Sequence, residues 1–137
     1  MPSSLKFVLW ALVLGALAVP PSILIQHQEA GKQAQVLAAW ATGGNPDRGQ
    51  ATFRRLGCGA CHETGAVSGA SGQVGGSLSG LSRRAEFAGK VVNEPQWLIA
   101  WIEHPQNISP GVGMPDIPMS DQDARDMAAY LYSLRSP

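Results

Sequence analysis

The sequence is short of charge, of cysteine and of β-strand pattern. Charged residues make up 15% of its 137 residues, against ~25% in an ordinary globular chain. Ten acidic residues balance ten basic ones, and no run of like charge stands anywhere in the chain. A nucleic-acid binder gathers basic residues on one face, so that class is excluded. Cysteine occurs only twice, which rules out the disulfide framework of a small secreted scaffold. No segment alternates convincingly with period two, and there is no internal repeat, so the pattern predicts an all-α chain with long loops. The length leaves room for one small domain. Glycine (16) and proline (10) are abundant, so loops take much of it.

Part of the charge deficit has a local cause. Lys6 is the one charged side chain before Gln26, and Phe7 to Ile25 is an uncharged run of 19 residues. A bilayer core of ~30 Å needs about 20 apolar residues as helix. Residues 1–25 therefore read as a transmembrane anchor, with an uncleaved or cleaved signal peptide as the competing reading. Ala16-Leu17-Ala18 offers a small-x-small cleavage site. Apolar character continues past that site, and Pro20-Pro21 makes a poor protease substrate, which favours retention. The prolines predict a helix from about Leu5 that is kinked or thinned near Pro20. Lys6 precedes the span, so the expected orientation leaves the chain beyond Ile25 on the outer side of the membrane. Residues 26–43, rich in Ala and Gln, read as a stalk or linker.

Residues 44–137 form the expected domain. Asn45-Pro46-Asp47 signals a helix start and predicts a helix to about Gly57. Asn93-Glu94-Pro95 opens a second by the same logic, carrying Trp97, Leu98, Trp101 and Ile102, with both tryptophans expected in the core. Ser120-Asp121-Gln122-Asp123 resembles a capping box. Ala124, Met127, Ala128, Leu131 and Leu134 then fall on one face of a last helix. Between these helices lie two long loops, Thr64 to Ser82 and Pro105 to Met119. Polar loops of such length are uncommon in a small domain unless they serve a function or wrap something. A large apolar ligand would give them something to pack on.

Both cysteines fall in one motif, Cys58-Gly59-Ala60-Cys61-His62. C-x-x-C-H is the attachment signature of c-type haem. Two thiols three residues apart reach the two vinyl groups of one porphyrin edge, and the following His is held beneath the iron. A thioredoxin-like pair would follow a strand in an α/β pattern, which is missing. A structural zinc site wants four ligands, and His27 and His104 have no paired spacing with these three. The expected cofactor is one covalent haem c on Cys58 and Cys61, with His62 as proximal iron ligand. For the distal position the candidates are Met114, Met119 and Met127. Met127 is explained by the apolar helix face. Met114 stands between Gly113, which permits close backbone approach, and Pro115, which stiffens the segment. Met119 directly precedes the last helix cap, where a hydrophobic staple explains it equally. Met114 is the first choice and Met119 the second.

Together, Cys58-Gly-Ala-Cys-His62, the Met114-Pro115 pair and the Asp123–Leu131 helix resemble a class I cytochrome c. The resemblance implies crossed first and last helices, with Gly49 and Phe53 facing Met127 and Tyr130. It implies His62 and Met114 as the axial ligands. Asn93 to Ile102, Pro105-Gln106 and Pro110-Gly111 are similar to a narrower group. These are monohaem domains anchored to bacterial membranes or fused to the copper-binding subunit of haem-copper oxidases. One departure stands out. The family has Gly-Pro after its Gly-rich loop, with the Pro carbonyl accepting from the proximal His. Here the stretch is Val74-Gly75-Gly76-Ser77, so Gly75 or Gly76 must supply that carbonyl, without proline's stiffness.

The expected protein is a single-pass cytochrome of the bacterial inner membrane with its haem domain in the periplasm. It would carry single electrons from a quinol-oxidising complex to a haem-copper oxidase, as tethered shuttle or bound subunit. It would perform no chemistry on a small-molecule substrate. The rival reading is a haem peroxidase or gas-binding sensor with an open sixth iron position. Arg54, Arg55, Arg83, Arg84 and Lys90 are candidates for a docking face, though singly such residues are ordinary solvated surface. His104 reads as a surface residue.

Overall fold

A computed structural model describes residues 3–134; Arg135 and the end of the expected domain lie outside them. The chain divides into two compact units, Met1–Gln33 and Ala34–Pro137. The first unit consists of most of helix α1, Ser3–Thr42. Its most apolar 18-residue window has a mean hydropathy of 2.3 and no part of it is buried. By length and composition the helix is long enough to cross a membrane. The expected interruption at Pro20 is not an end: both prolines lie inside one helix. Each removes a single ladder bond, and the Ser22 hydroxyl donates to the Val19 carbonyl at 2.8 Å beside them.

The second unit begins ahead of the Gly44 boundary that composition suggested. Ala38 and Thr42, on the last turns of α1, are buried there. The Thr42 hydroxyl donates to the Ala38 carbonyl and accepts from the Gly44 N–H, so the helix end passes directly into the next cap. Helix α2 is Pro46–Arg55; the Asn45 side chain accepts from Arg48 N–H and Pro46 occupies the first turn. Helices α3 (Pro95–Glu103) and α4 (Pro105–Ile108) follow, then α5 (Asp121–Ser133) behind a complete Ser120–Asp123 capping box.

The unit is built on the crossing of α2 and α5. A Cβ on Gly49 would overlap the Asp126 carbonyl oxygen and lie 2.8 Å from Tyr130 Cβ. Only a hydrogen allows the two backbones to approach this closely. One turn on, Phe53 stacks obliquely on Tyr130 with ring centroids 5.6 Å apart. Burying Phe53 contributes about 2–3 kcal/mol. The crossing is locked at its rim by Asp126, a carboxylate only 3% exposed. It accepts from Asn45 N–H at 2.7 Å, from Arg48 Nε and Nη2 at 2.6 and 3.0 Å, and from Gln122 Nε2 at 2.9 Å. Leu81, Leu98, Ile102, Ala124 and Ala128 continue the core.

The fold is mostly helical, as expected, and two local expectations are corrected below. A two-residue antiparallel hairpin, β1 (Glu86–Phe87) with β2 (Val91–Val92), is a small addition that no period-two pattern signalled. Its turn holds Ala88 and Gly89 at positive φ, and an alanine there carries none of the usual turn signature. Asn93 does not cap α3. The cap is Glu94, and the Asn93 amide instead ties the Leu81 and Arg84 carbonyls at 2.7 and 2.8 Å. Trp97 is exposed rather than core; Trp101, one turn further along the same side of α3, is buried, edge-on to Phe87 at 5.8 Å.

Candidate functional site

The chain leaves α2 through Leu56 and turns at Gly57 into a single 3-10 turn, Cys58–Ala60. The Cys58 carbonyl accepts from both the Cys61 and His62 N–H groups. Cys58 is half-buried against the core and Cys61 is exposed; neither is in a disulfide. Burial pushes the Cys58 thiol up, and the neighbouring Cys61 adds to the rise.

The glycine-rich loop wraps this turn. Gly72 N–H donates to Gly59 O, Gly75 N–H to Cys61 O at 2.7 Å and Leu78 N–H to Glu63 O at 2.9 Å. A Cβ on Gly75 would overlap the His62 ring, with Nδ1 at 2.5 Å and Nε2 at 2.8 Å. The imidazole lies flat against that backbone, and His62 Nδ1 meets the Gly76 carbonyl at 2.9 Å. A carbonyl only accepts, so in the neutral imidazole this contact puts the proton on Nδ1 and leaves the lone pair on Nε2. Gly76 thus supplies the carbonyl that the sequence left to either glycine.

The methionine loop has its own organiser. Gln106 Nε2 donates to the Met114 carbonyl at 2.7 Å and to the Val112 carbonyl at 2.8 Å, while its Oε1 accepts from Gly111 N–H at 3.0 Å. Asp116 accepts from Gln106 N–H. Met114 and Met119 are both half-buried against the core, and Met127 is fully buried in it. His104 is exposed, 3.9 Å from Asp116. Sequence reasoning gave Gln106 and Asn93 no role at the site. An amide that binds three backbone groups of one loop leaves no periodicity or spacing to read.

The donor set fits a haem better than its rivals. Among the described residues no three His, Cys, Asp or Glu side chains converge on a metal position, so Cys58, Cys61 and His62 are not a zinc cage. Two thiols, one imidazole with a free Nε2 and a thioether loop are groups that would hold a haem c, by covalent attachment and by ligation of its iron. Tyr130 Oη is buried with no hydrogen-bond partner among the described residues. An enclosed group with polar atoms would satisfy it.

Comparison with known proteins agrees. Cytochrome c oxidase subunit 2 of Alkalihalophilus pseudofirmus is 34% identical over 90 residues, 65% of this chain and 25% of that protein. The chain therefore matches about a quarter of the length of this relative. The family model for cytochrome c matches residues 46–135, from the first residue of α2 to beyond the end of α5. By that match the chain belongs to the cytochrome c family.

Proposed function

We propose that the protein is a membrane-anchored monohaem cytochrome c that passes single electrons between respiratory complexes on the periplasmic side of a bacterial inner membrane. The observation that carries this reading is the Cys58–Cys61–His62 turn, with His62 Nδ1 on Gly76 O and Nε2 free, inside a cytochrome c domain. Bound haem c would supply a one-electron redox centre. Cys58 and Cys61 would attach it, His62 Nε2 would ligate the iron, and Met114 would fill the distal position, with Met119 as second choice. The Gly76 carbonyl fixes the ring orientation and makes Nε2 more basic. Gln106 fixes the backbone that carries the Met114 sulfur. A filled sixth position excludes peroxide and gases, which separates this reading from a peroxidase or sensor.

Anchoring by α1 would place the domain near its partners. The matched relative is named as an oxidase subunit, which supports a haem-copper oxidase as acceptor. A quinol-oxidising complex is the corresponding donor. Lys6 ahead of the span supports an outward-facing domain. The test is a reduced-minus-oxidised spectrum of the purified protein with and without carbon monoxide. A low-spin spectrum that carbon monoxide leaves unchanged is expected. A carbon monoxide adduct in the unaltered protein would transfer the assignment to a gas- or peroxide-binding haem.

A further inference from the structure

The glycine pair beneath His62 ought to be slack. Gly75-Gly76 stands where the family has Gly-Pro, and glycine leaves a backbone freer than any other residue. Yet the turn is tied on its far side. One nitrogen of the Arg84 guanidinium, Nη2, donates to the Ser77 carbonyl at 2.6 Å and to the Ser79 carbonyl at 3.0 Å. These are charge-assisted bonds, stronger than those between neutral groups. Arg84 is itself held in place. Its carbonyl accepts from the Asn93 amide at 2.8 Å, which also binds Leu81 O. Asn93 Oδ1 accepts from Tyr132 Oη on α5 at 2.9 Å. The Tyr132 phenol is pushed up to about 12, by burial first and Glu94 second, so it remains a donor at any working pH. A continuous set of hydrogen bonds thus runs from the last helix to the peptide next to Gly76.

We propose that Arg84 is a positioning residue for His62: it clamps the Gly76–Ser79 turn and takes over the stiffness that proline gives elsewhere in the family. Arg84 is exposed, so it reads in sequence as docking surface, but its donors face its own backbone. The inference rests on the proposed reading of His62 as the proximal ligand. A clamped Gly76 carbonyl holds a strong bond to Nδ1–H, which makes the imidazole a better donor and favours the oxidised iron. Releasing the clamp should raise the reduction potential. Removing a positive charge for electrostatic reasons alone should lower it, because oxidised iron carries the extra positive charge. The two roles therefore differ in sign.

The chain also provides its own rescue. Gly76 lies outside the left-handed region, a Cβ there would meet open space, and its N–H makes none of the backbone bonds of the loop. Gly76→Pro restores the family pattern without loss of a contact.

The experiment uses the full-length holoprotein and four variants: Arg84→Gln, Arg84→Lys, Tyr132→Phe and the double variant Arg84→Gln/Gly76→Pro. Two quantities are read, the reduction potential and the solvent exchange of the His62 Nδ1–H proton by NMR of the reduced protein. Arg84→Gln should raise the potential and speed exchange about tenfold, the equivalent of one lost hydrogen bond. Arg84→Lys should move both in the same direction although the charge is kept, and Tyr132→Phe should do so more weakly. The double variant should return both toward the parent. If Arg84→Gln does not fold, Arg84→Lys decides. A lowered potential, unchanged exchange or failure of proline to rescue would overturn the clamp. His62→Ala separates the two levels. If it retains a low-spin spectrum, the assignment of His62 itself falls. If it loses that spectrum while the Arg84 variants change nothing, only the clamp falls.

Discussion

Gln106 holds Met114 by the backbone: its amide nitrogen lies 2.7 Å from the Met114 carbonyl and its amide oxygen secures Gly111, five residues along the loop from Gln106. A thioether is a weak ligand on a flexible stem, so its approach to iron depends on a fixed Cα. On the proposed assignment, Gln106→Ala weakens ligation without touching a ligand. The methionine–iron(III) charge-transfer absorption should fade and carbon monoxide should begin to bind. Met114→Ala should abolish the absorption altogether, and Met119→Ala should leave it. The reverse result for the two methionines would move the distal role to Met119.

Gly75 packs directly on the His62 ring, so Gly75→Ala should force the imidazole or the loop to shift. Overpacking of this kind costs about 1–3 kcal/mol. Thermal unfolding of the holoprotein should fall accordingly, and the low-spin spectrum should broaden or shift. An alanine variant with unaltered stability and spectrum would mean the ring is not confined by that backbone.

Asp126 gives the domain an acid limit. Burial alone would raise its carboxyl, but the bonds from Arg48, Asn45 N–H and Gln122 outweigh burial and hold it below the usual carboxylate value. A group whose folded pKa is depressed stabilises fully above its unfolded value, about 3.9, and that stability is lost as pH falls through the folded value. Denaturant unfolding should therefore show a loss of stability below about pH 4. Asp126→Ala should cost about 1–3 kcal/mol at neutral pH, because Asn45 N–H and the Gln122 amide lose their acceptor. It should also flatten this part of the pH profile. An unchanged profile would place the acid limit elsewhere.

Ala38 and Thr42 belong to the compact unit, so the soluble fragment should begin at Ala34 and not at Gly44. Cutting at Gly44 removes the Thr42 hydroxyl that accepts Gly44 N–H and takes away the buried Ala38 and Thr42 side chains. It should lower stability by about 1–2 kcal/mol relative to the 34–137 fragment, read by thermal melting. From Gly44 onward the domain has eight basic and nine acidic side chains, too balanced for long-range steering. Oxidation of the reduced full-length protein by oxidase-containing membranes should then vary little with salt. The 34–137 fragment should react far more slowly, because it lacks the effective concentration a tether gives. A steep salt dependence with no loss on truncation would point to a freely diffusing, electrostatically steered carrier.

The helices were legible because their signals are local. Asn45-Pro46, the Ser120 capping box and the apolar face of Ala124 to Leu131 each act within a turn or two, and each is found where the pattern placed it. Gly49 and Phe53 met Tyr130 as the resemblance implied. What escaped was held together by tertiary context. The hairpin is two residues long on each side, too short for periodicity. Trp97 is exposed although Leu98 beside it and Trp101 one turn on are buried, because it stands in the first turn of α3 at the edge of the buried stripe. Asn93, Gln106 and Arg84 bind backbone carbonyls five to twelve residues away. Such bonds depend on loop shape, which residue spacing does not encode.

The central claim is that Cys58 and Cys61 carry a covalently attached haem, and acid–acetone extraction of the purified protein tests it most directly. Two thioether bonds survive that treatment, whereas a haem held by axial ligands and packing is released. The account predicts that the colour stays with the precipitated chain, and that replacing both cysteines with alanine makes it extractable or prevents its incorporation. Haem that passes into the acetone from the unaltered protein would contradict the account.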